Sequence, residues 1–110
     1  FGPHVRLLDP VGYYEMLCLE DECSFVLTDS SGVQKEAFFF GKPCVTMRDS
    51  TEWVELVDAG WNTLVGADER AIRAAIMERA TPSERPPLYG EGNAAAVILD
   101  TLVNYERNRR

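Results

Sequence analysis

A chain of 110 residues is long enough for one domain with a modest hydrophobic core and too short for two ordinary domains. Its composition, 45% hydrophobic and 26% charged, is typical of a folded globular protein and excludes a disordered one. Eleven basic against eighteen acidic residues give a net charge of −7, which argues against nucleic acid and anionic membranes as partners, because both require a basic surface.

The apolar runs and the cysteines argue against a membrane protein, a disulfide-rich protein and a metal-binding protein. The strictly apolar runs, such as residues 37–40, are far too short for a membrane span or a signal-peptide core, so we expect a cytoplasmic chain. Cys18, Cys23 and Cys44 are odd in number and lack CxxC spacing, which favours reduced thiols over a disulfide framework or a metal site. The chain begins at Phe1 rather than at methionine, as expected after processing, trimming or excision from a longer sequence.

Short β-type segments alternate with helical segments along the chain. Strand candidates are short apolar runs, at residues 5–8, 25–27, 44–47 and 62–65. Helical candidates show amphipathic spacing or capping residues, at residues 13–22, 33–40, 52–58, 68–80 and 93–105. Prolines and glycines predict a loop over residues 81–92. Strands separated by helices need crossover connections, so the pattern predicts an α/β fold around a mostly parallel sheet.

The helix ends carry recognisable residue types. The acidic run 20–22 is predicted to be a solvated end of the first helix. Asp68 and Asn93 have side chains that accept hydrogen bonds from helix-end amides, so we expect them to cap the last two helices. The final helix has an apolar stripe, which consists of Ala95, Ile98, Leu99, Leu102 and Val103.

The turn after the second strand candidate is the richest candidate for a binding site. Ligands of an open parallel sheet bind at the carboxyl ends of its strands. Ser30, Ser31 and Gly32 precede a helix there, whose free backbone N–H groups favour a phosphate or diphosphate. Glu36, one turn further on, could accept hydrogen bonds from a sugar diol. The alternative is that Asp29 and Ser30 only cap the helix while Glu36 faces water.

The turn after the third strand candidate, residues 48–52, combines two carboxylates, two hydroxyls and a guanidinium. In a binding role, Ser50 and Thr51 would contact phosphate or sugar, and Arg48 would give electrostatic help. In a purely structural turn, Asp49 or Ser50 would cap the next helix and Arg48 would pair with Asp49. Residue types and spacing leave both possibilities open.

Several motifs follow one another in order along nearly the whole chain. They are LTDSSGVQKEA at 27–37, GKP at 41–43, RDSTE at 48–52 and YGEGNA at 89–94. Their order and spacing resemble the carboxy-terminal half of the non-hydrolysing UDP-N-acetylglucosamine 2-epimerases.

That resemblance implies a glycosyltransferase-B-type fold, in which two Rossmann-like halves hold a UDP-sugar between them. Residues 1–110 would be a partial UDP-binding Rossmann-like domain, part of the carboxy-terminal domain, with residues 93–110 as its terminal helix. The implied reaction interconverts UDP-GlcNAc and UDP-ManNAc by elimination and re-addition of UDP. It needs neither NAD nor a metal, so no cofactor is expected.

The resemblance also assigns roles to residues of this chain. Ser30, Ser31 and Gly32 would bind the diphosphate through the helix amino terminus, and Glu36 would bind the ribose hydroxyls. Met16 falls where the family often has an aromatic residue near the uracil. The predicted UDP-binding set is completed by two residues of the second turn, Arg48 and Thr51.

Departures from the family pattern affect the expected substrate. Ser31 stands where the family usually has a glycine, and Trp53 and Val54 replace a usual Arg-Pro pair. Thr-Glu-Trp-Val variants occur among relatives, some of which act on modified UDP-aminosugars. The resemblance therefore points more firmly to the nucleotide than to the sugar.

The acids and histidines credited with proton transfer in this family have no counterparts here. We therefore expect no catalytic residue, no epimerase activity from this chain alone, and an amino-terminal domain of the parent enzyme as a partner. An uncovered sheet edge or helix-docking face would favour self-association, by edge pairing or by exchange of the terminal helix. The alternatives are another nucleotide-sugar enzyme of the same fold type, a non-catalytic nucleotide-sugar binding module, or a degenerate structural α/β domain.

Overall fold

Helices and strands alternate in a computed structural model that describes residues 2–110; Phe1, where the predicted domain begins, lies outside the described residues. The elements are α1 Tyr13–Glu22, β1 Val26–Thr28, α2 Ser31–Phe39, β2 Cys44–Thr46, α3 Val54–Asp58, β3 Asn62–Leu64, α4 Glu69–Glu78 and α5 Ala94–Arg109. The strands form one parallel sheet in the order β1-β2-β3. The expected α/β class with a parallel sheet and flanking helices is confirmed.

The strand register brings the candidate turns together. Val26 pairs with Cys44, and Cys44 pairs with Asn62, so the three strands begin and end at the same height in the sheet. Their carboxyl ends therefore meet at one edge of the sheet, where the turns leading into α2 and α3 begin. β2 is central and fully buried, whereas β1 and β3 are the outer strands of this sheet.

An aromatic core anchors the helices and the long loop to the sheet. Phe38 of α2 packs edge-on against Trp61 with ring centroids 5.7 Å apart, and against Tyr89 at 5.8 Å. Leu56 of α3 belongs to the same buried cluster. The indole Nε1 of Trp61 donates a 3.0 Å hydrogen bond to the carbonyl of Glu84. The predicted loop 81–92 is thus irregular but packed over the core.

The predicted strand at residues 5–8 is wrong. Residues 2–12 contain no strand and are exposed throughout, with Leu7 at 74% exposure. A short apolar run becomes a strand only when it exchanges backbone hydrogen bonds with a neighbouring strand, and residues 5–8 pair with none of the described strands.

The two predicted helix caps had different outcomes. Asp68 caps α4 as expected, because its Oδ1 accepts hydrogen bonds from the amides of Arg70 and Ala71 at 2.8 and 3.1 Å. The prediction for Asn93 is wrong: it precedes α5 but makes no capping hydrogen bond with its side chain. None of the helices within residues 2–110 is long and apolar enough to cross a membrane.

Candidate functional site

Short-range hydrogen bonds define the turn from β1 into α2. The Ser30 backbone N–H donates to Thr28 Oγ1 at 3.0 Å, and Ser30 Oγ accepts from the Val33 amide at 3.4 Å. Ser30 is therefore the N-cap of α2, as one of the two interpretations of this turn required. This cap satisfies the backbone amide of Val33 only, and the other amides of the first turn have no acceptor within the helix.

Gly32 leaves the amino end of α2 open to a ligand. Gly32 is exposed, and no heavy atom lies within 4 Å of the place that a Cβ would occupy. Its φ angle is not in the left-handed region, so the backbone conformation does not require glycine. Because Gly32 has no side chain, an anion can approach the first backbone amides of α2 without steric hindrance.

Ser31 and Trp53, two departures from the family pattern, contact one another. Trp53 Nε1 donates to the Ser31 carbonyl at 2.9 Å and to Ser31 Oγ at 3.2 Å. Ser31 Oγ in turn donates to Glu52 Oε2 at 3.1 Å. The hydroxyl of Ser31 is thus directed toward the second turn, which leaves its backbone amide as the group available at the helix end.

Arg48 is paired with Glu52, not with Asp49 as the purely structural interpretation of this turn predicted. Its Nη1 and Nη2 lie 3.0 and 2.9 Å from the two carboxylate oxygens of Glu52, a bidentate pair. The hydrogen bonds from Arg48 are the main reason why the pKa of Glu52 falls to about 2. The guanidinium is thus held in place beside Ser31 and is partly neutralised by its partner.

Asp49 and Ser50 do not cap α3 as the structural interpretation predicted, because the amino end of α3 makes no capping hydrogen bond with a side chain. The hydrogen bonds of this turn are made by Thr51 instead. Its hydroxyl donates to Gln34 Oε1 at 2.6 Å and accepts from the Trp53 amide at 3.1 Å. Asp49 and Ser50 are exposed. Thr51 thus ties the second turn to α2.

A buried polar network, missed by sequence analysis, supports the first turn. Thr46 Oγ1 donates to Asn62 Oδ1 at 2.5 Å, and Asn62 Nδ2 donates to Gln34 Oε1 at 2.9 Å. Gln34 Nε2 donates to the Ser30 carbonyl at 3.2 Å. One signal could have revealed Gln34: it lies four residues before the core residue Phe38, on the same face of α2.

A cavity of about 260 Å³ between α1, β1 and α2 adjoins this turn. Met16 lines it from α1, while Thr28 and Val33 line it from the sheet edge and the first turn of α2. Met16 is 39% exposed. The structure therefore brings Met16 to the amino end of α2 although it lies far from Val33 in sequence.

Glu36 faces a second carboxyl group instead of water alone. Glu36 is half-buried on α2 and lies within hydrogen-bonding reach of Glu20 on α1. Glu20 is only 4% exposed, so the prediction of a solvated acidic end is wrong for this residue. Burial, followed by the neighbouring Glu36, raises the pKa of Glu20 to about 7.

The last motif reaches the site through Tyr89. Lys35 Nζ lies 4.3 Å from the ring centroid of Tyr89 and 4.3 Å from that of Trp53. A cation is therefore present beside Trp53 although the usual arginine is absent. The Tyr89 hydroxyl, which lies near the Glu55 carboxyl, lowers the pKa of that carboxyl.

The sequence matches the family model described as UDP-N-acetylglucosamine 2-epimerase over residues 1–103. The chain belongs to this family. Among curated relatives, it is 55% identical over 104 residues to the UDP-2,3-diacetamido-2,3-dideoxy-D-glucuronate 2-epimerase of Pseudomonas aeruginosa, covering 89% of this chain and 28% of that protein. It is 44% identical over 100 residues to the UDP-N-acetylglucosamine 2-epimerase of Methanocaldococcus jannaschii, covering 89% and 27%.

Solved structures of 2-epimerases share the fold. The M. jannaschii enzyme in complex with UDP-GlcNAc and UDP matches with a TM-score of 0.74 and 38% identity, covering 88% of this chain and 27% of that chain. A co-structure of S. aureus MnaA with UDP matches with a TM-score of 0.80 and 27% identity, covering 96% and 30%. This 2-epimerase-family chain thus spans less than a third of the length of these relatives.

Proposed function

We propose that this chain supplies the UDP-binding side of a UDP-N-acetylglucosamine 2-epimerase, which interconverts UDP-GlcNAc and UDP-ManNAc by elimination and re-addition of UDP. The observation that carries the proposal is the amino end of α2. It begins at the carboxyl edge of a parallel sheet, is capped by Ser30 and is left open by Gly32.

The diphosphate would lie against the amides of Ser31 and Gly32, where the helix dipole favours negative charge. Elimination leaves negative charge on the departing UDP, so the same amides would stabilise the leaving group. Arg48, fixed by Glu52 beside Ser31, would add positive potential near this point. Thr51 would act through the network that holds the two turns together.

The nucleoside would occupy the cavity beside α1. Met16 offers an apolar surface to the uracil at the cavity edge. Glu36 does not line the cavity itself but adjoins Glu20 of its wall, and its carboxylate would accept hydrogen bonds from the ribose hydroxyls. An amino-terminal domain would close the cleft over the sugar and provide the proton-transfer groups. UDP-sugar and this domain are thus the proposed partners, with no catalytic residue assigned to the chain itself.

A second candidate substrate is a modified UDP-aminosugar. The P. aeruginosa relative, at 55% identity, is named for a diacetamido glucuronate. Trp53, which departs from the usual arginine, lies beside Ser31 at the end of the site that would hold the diphosphate. Assays of both sugars on one active protein would separate these candidates.

Nucleotide binding is tested with the 110-residue chain and UDP. We expect chemical shift changes in the amides of residues 30–36 and weak affinity, because half a cleft leaves much of the ligand in water. Gly32→Val should lower the affinity at least about tenfold by blocking the first amides, with unchanged folding because nothing contacts this position. Gly2→Val, in equally open surroundings, is the matched control. Unperturbed α2 amides at saturating UDP would refute the proposal.

Epimerase activity is tested by exchange of segments. The isolated chain should convert no UDP-GlcNAc, whereas the P. aeruginosa relative carrying residues 1–103 in place of its matching segment should turn over a UDP-aminosugar. Gly32→Val in this chimaera should abolish turnover. A folded chimaera that binds UDP-sugar without turning it over would favour a non-catalytic binding module.

A further inference from the structure

Two carboxyl groups from different helices meet beside the nucleoside cavity. Glu20 of α1 is 4% exposed, and neither of its carboxylate oxygens has a hydrogen-bond donor among the described residues. The carboxyl of Glu36 lies within hydrogen-bonding reach of it. Glu20 also lines the 260 Å³ cavity, whose other lining residues include the apolar Met16 and Leu19.

Two ionised carboxylates in this position would be unstable. Neither can donate a hydrogen bond, and their charges repel each other in surroundings that solvate charge poorly. A single proton shared by the pair removes the charge repulsion and also supplies a donor, because a neutral carboxyl donates a hydrogen bond to an ionised one. The buried Glu20 is the member that keeps the proton, since Glu36 is more exposed.

The other titratable groups near the pair do not replace that proton. Cys23 Sγ donates to the Glu20 backbone carbonyl at 3.2 Å, and burial raises the pKa of its thiol, so Cys23 is neutral at neutral pH. Lys42 acts on Cys23, where it opposes this effect. Glu20 is therefore the group that titrates here near neutrality.

We propose that Glu20 is a positioning residue for nucleotide binding. Its protonated carboxyl donates a hydrogen bond to the Glu36 carboxylate and thereby fixes that carboxylate toward the ribose hydroxyls. This inference rests on the proposed function, in which Glu36 binds the ribose. Glu20 itself need not touch the ligand.

Ligand binding is then coupled to the protonation of Glu20. Ribose hydroxyls donate to Glu36 and favour its ionised form, which keeps the proton on Glu20. With the pKa of free Glu20 raised to about 7, binding above this pH takes up a proton. Affinity is therefore full below pH 7 and falls as the pH rises, by about fivefold or more between pH 6.0 and 8.5.

The experiment measures the affinity of the chain for UDP-GlcNAc by calorimetry at pH 6.0 and 8.5. UDP-GlcNAc is the probe because its diphosphate diester does not titrate in this range. Glu20→Gln keeps a donor that cannot ionise, so it should bind equally well at both pH values. Glu20→Met lacks the donor and should bind more weakly at both. Glu22→Gln, exposed on the same helix, should behave like the unaltered chain.

A second readout is the pH titration of the Glu20 carboxyl carbon by NMR in the free chain. Its midpoint should lie near 7 and should fall when Glu36 is changed to glutamine, because Glu36→Gln removes the repulsion. A chain that binds UDP-GlcNAc with pH-independent affinity, or in which Glu20 titrates like an exposed carboxyl, would overturn the inference alone. Coupled titration without any UDP-GlcNAc binding would overturn the proposed function and, with it, the positioning role.

Discussion

The side chain of Gln34 connects three parts of the chain at the start of α2. It accepts hydrogen bonds from Thr51 and Asn62, and it donates to the Ser30 carbonyl. Gln34 is 1% exposed, so all of these groups bond to one another instead of to water. The orientation of the α2 amino end therefore depends on a residue that would not touch the ligand.

Replacing Gln34 with leucine should cost about 2–3 kcal/mol of the free energy of unfolding. Leucine has a similar volume but leaves the Thr51 hydroxyl and the Asn62 amide without their partner in a buried place. Urea denaturation followed by circular dichroism measures the loss. Asn104→Leu, on the exposed α5, should change stability by less than about 0.5 kcal/mol. Equal small effects in both variants would contradict the importance of the network.

Some residue roles could be predicted from the local sequence, whereas others depend on contacts between distant parts of the chain. Ser30 was predicted as a cap or an anion contact from its position before a helix, because capping depends on neighbours within three residues. Two of the three partners of Gln34, Thr51 and Asn62, lie 17 and 28 positions away along the chain. No local pattern contains such pairs, so the network became visible only in the structure.

The helices α2 and α4 are started by the same device but with different consequences. Ser30 caps α2 and Asp68 caps α4, and each side chain accepts one or two hydrogen bonds from backbone amides in the first turn of its helix. Only α2 begins at the carboxyl edge of the sheet beside the cavity. Comparing the two caps thus separates helix stability from ligand binding.

Removing either cap should reduce stability by about 1 kcal/mol, and only one change should affect UDP. Ser30→Ala and Asp68→Ala each leave helix-end amides without an acceptor. Thermal unfolding measures the stability, and UDP titration measures the affinity. Affinity should fall for Ser30→Ala and stay unchanged for Asp68→Ala. An equal loss of affinity in both variants would mean that general destabilisation, rather than the site, controls binding.

Elements with local signals were predicted well. α1 was placed correctly at Tyr13–Glu22, and the central strand lies within the predicted apolar run. The predicted strand at 5–8 failed because strand formation depends on a partner strand. Helix ends shifted by a few residues: α3 begins at Val54 rather than at residue 52, because Thr51 and Trp53 donate hydrogen bonds to α2.

As a whole, the molecule is much more extended than a compact domain of its size. Its radius of gyration is 18.0 Å, against about 13 Å for a compact chain of this length. Residues 91–110 are all exposed, including the apolar stripe of α5, where Ile98 and Leu102 are each 59% exposed. Such a surface favours association with another apolar surface.

We propose that isolated chains self-associate through α5. Ile98→Glu combined with Leu102→Glu places charge on the apolar stripe and should shift sedimentation toward the monomer. Asn104→Glu, on the opposite face of the same helix, is the control and should leave the distribution unchanged. A chain that sediments as a monomer at high concentration before any substitution would refute self-association.

The sequence by itself determined the α/β class, the order of the principal elements and the capped turn before α2. These features depend on hydrophobic periodicity, capping and glycine placement, which act over a few residues. Only the tertiary structure decided that Arg48 pairs with Glu52, that Ser31 bonds to Trp53, and that Glu20 faces Glu36. The last two pairings join side chains from different elements, and all three depend on the fold: parallel strands bring turns to one edge, and helix packing sets which side chains lose contact with water.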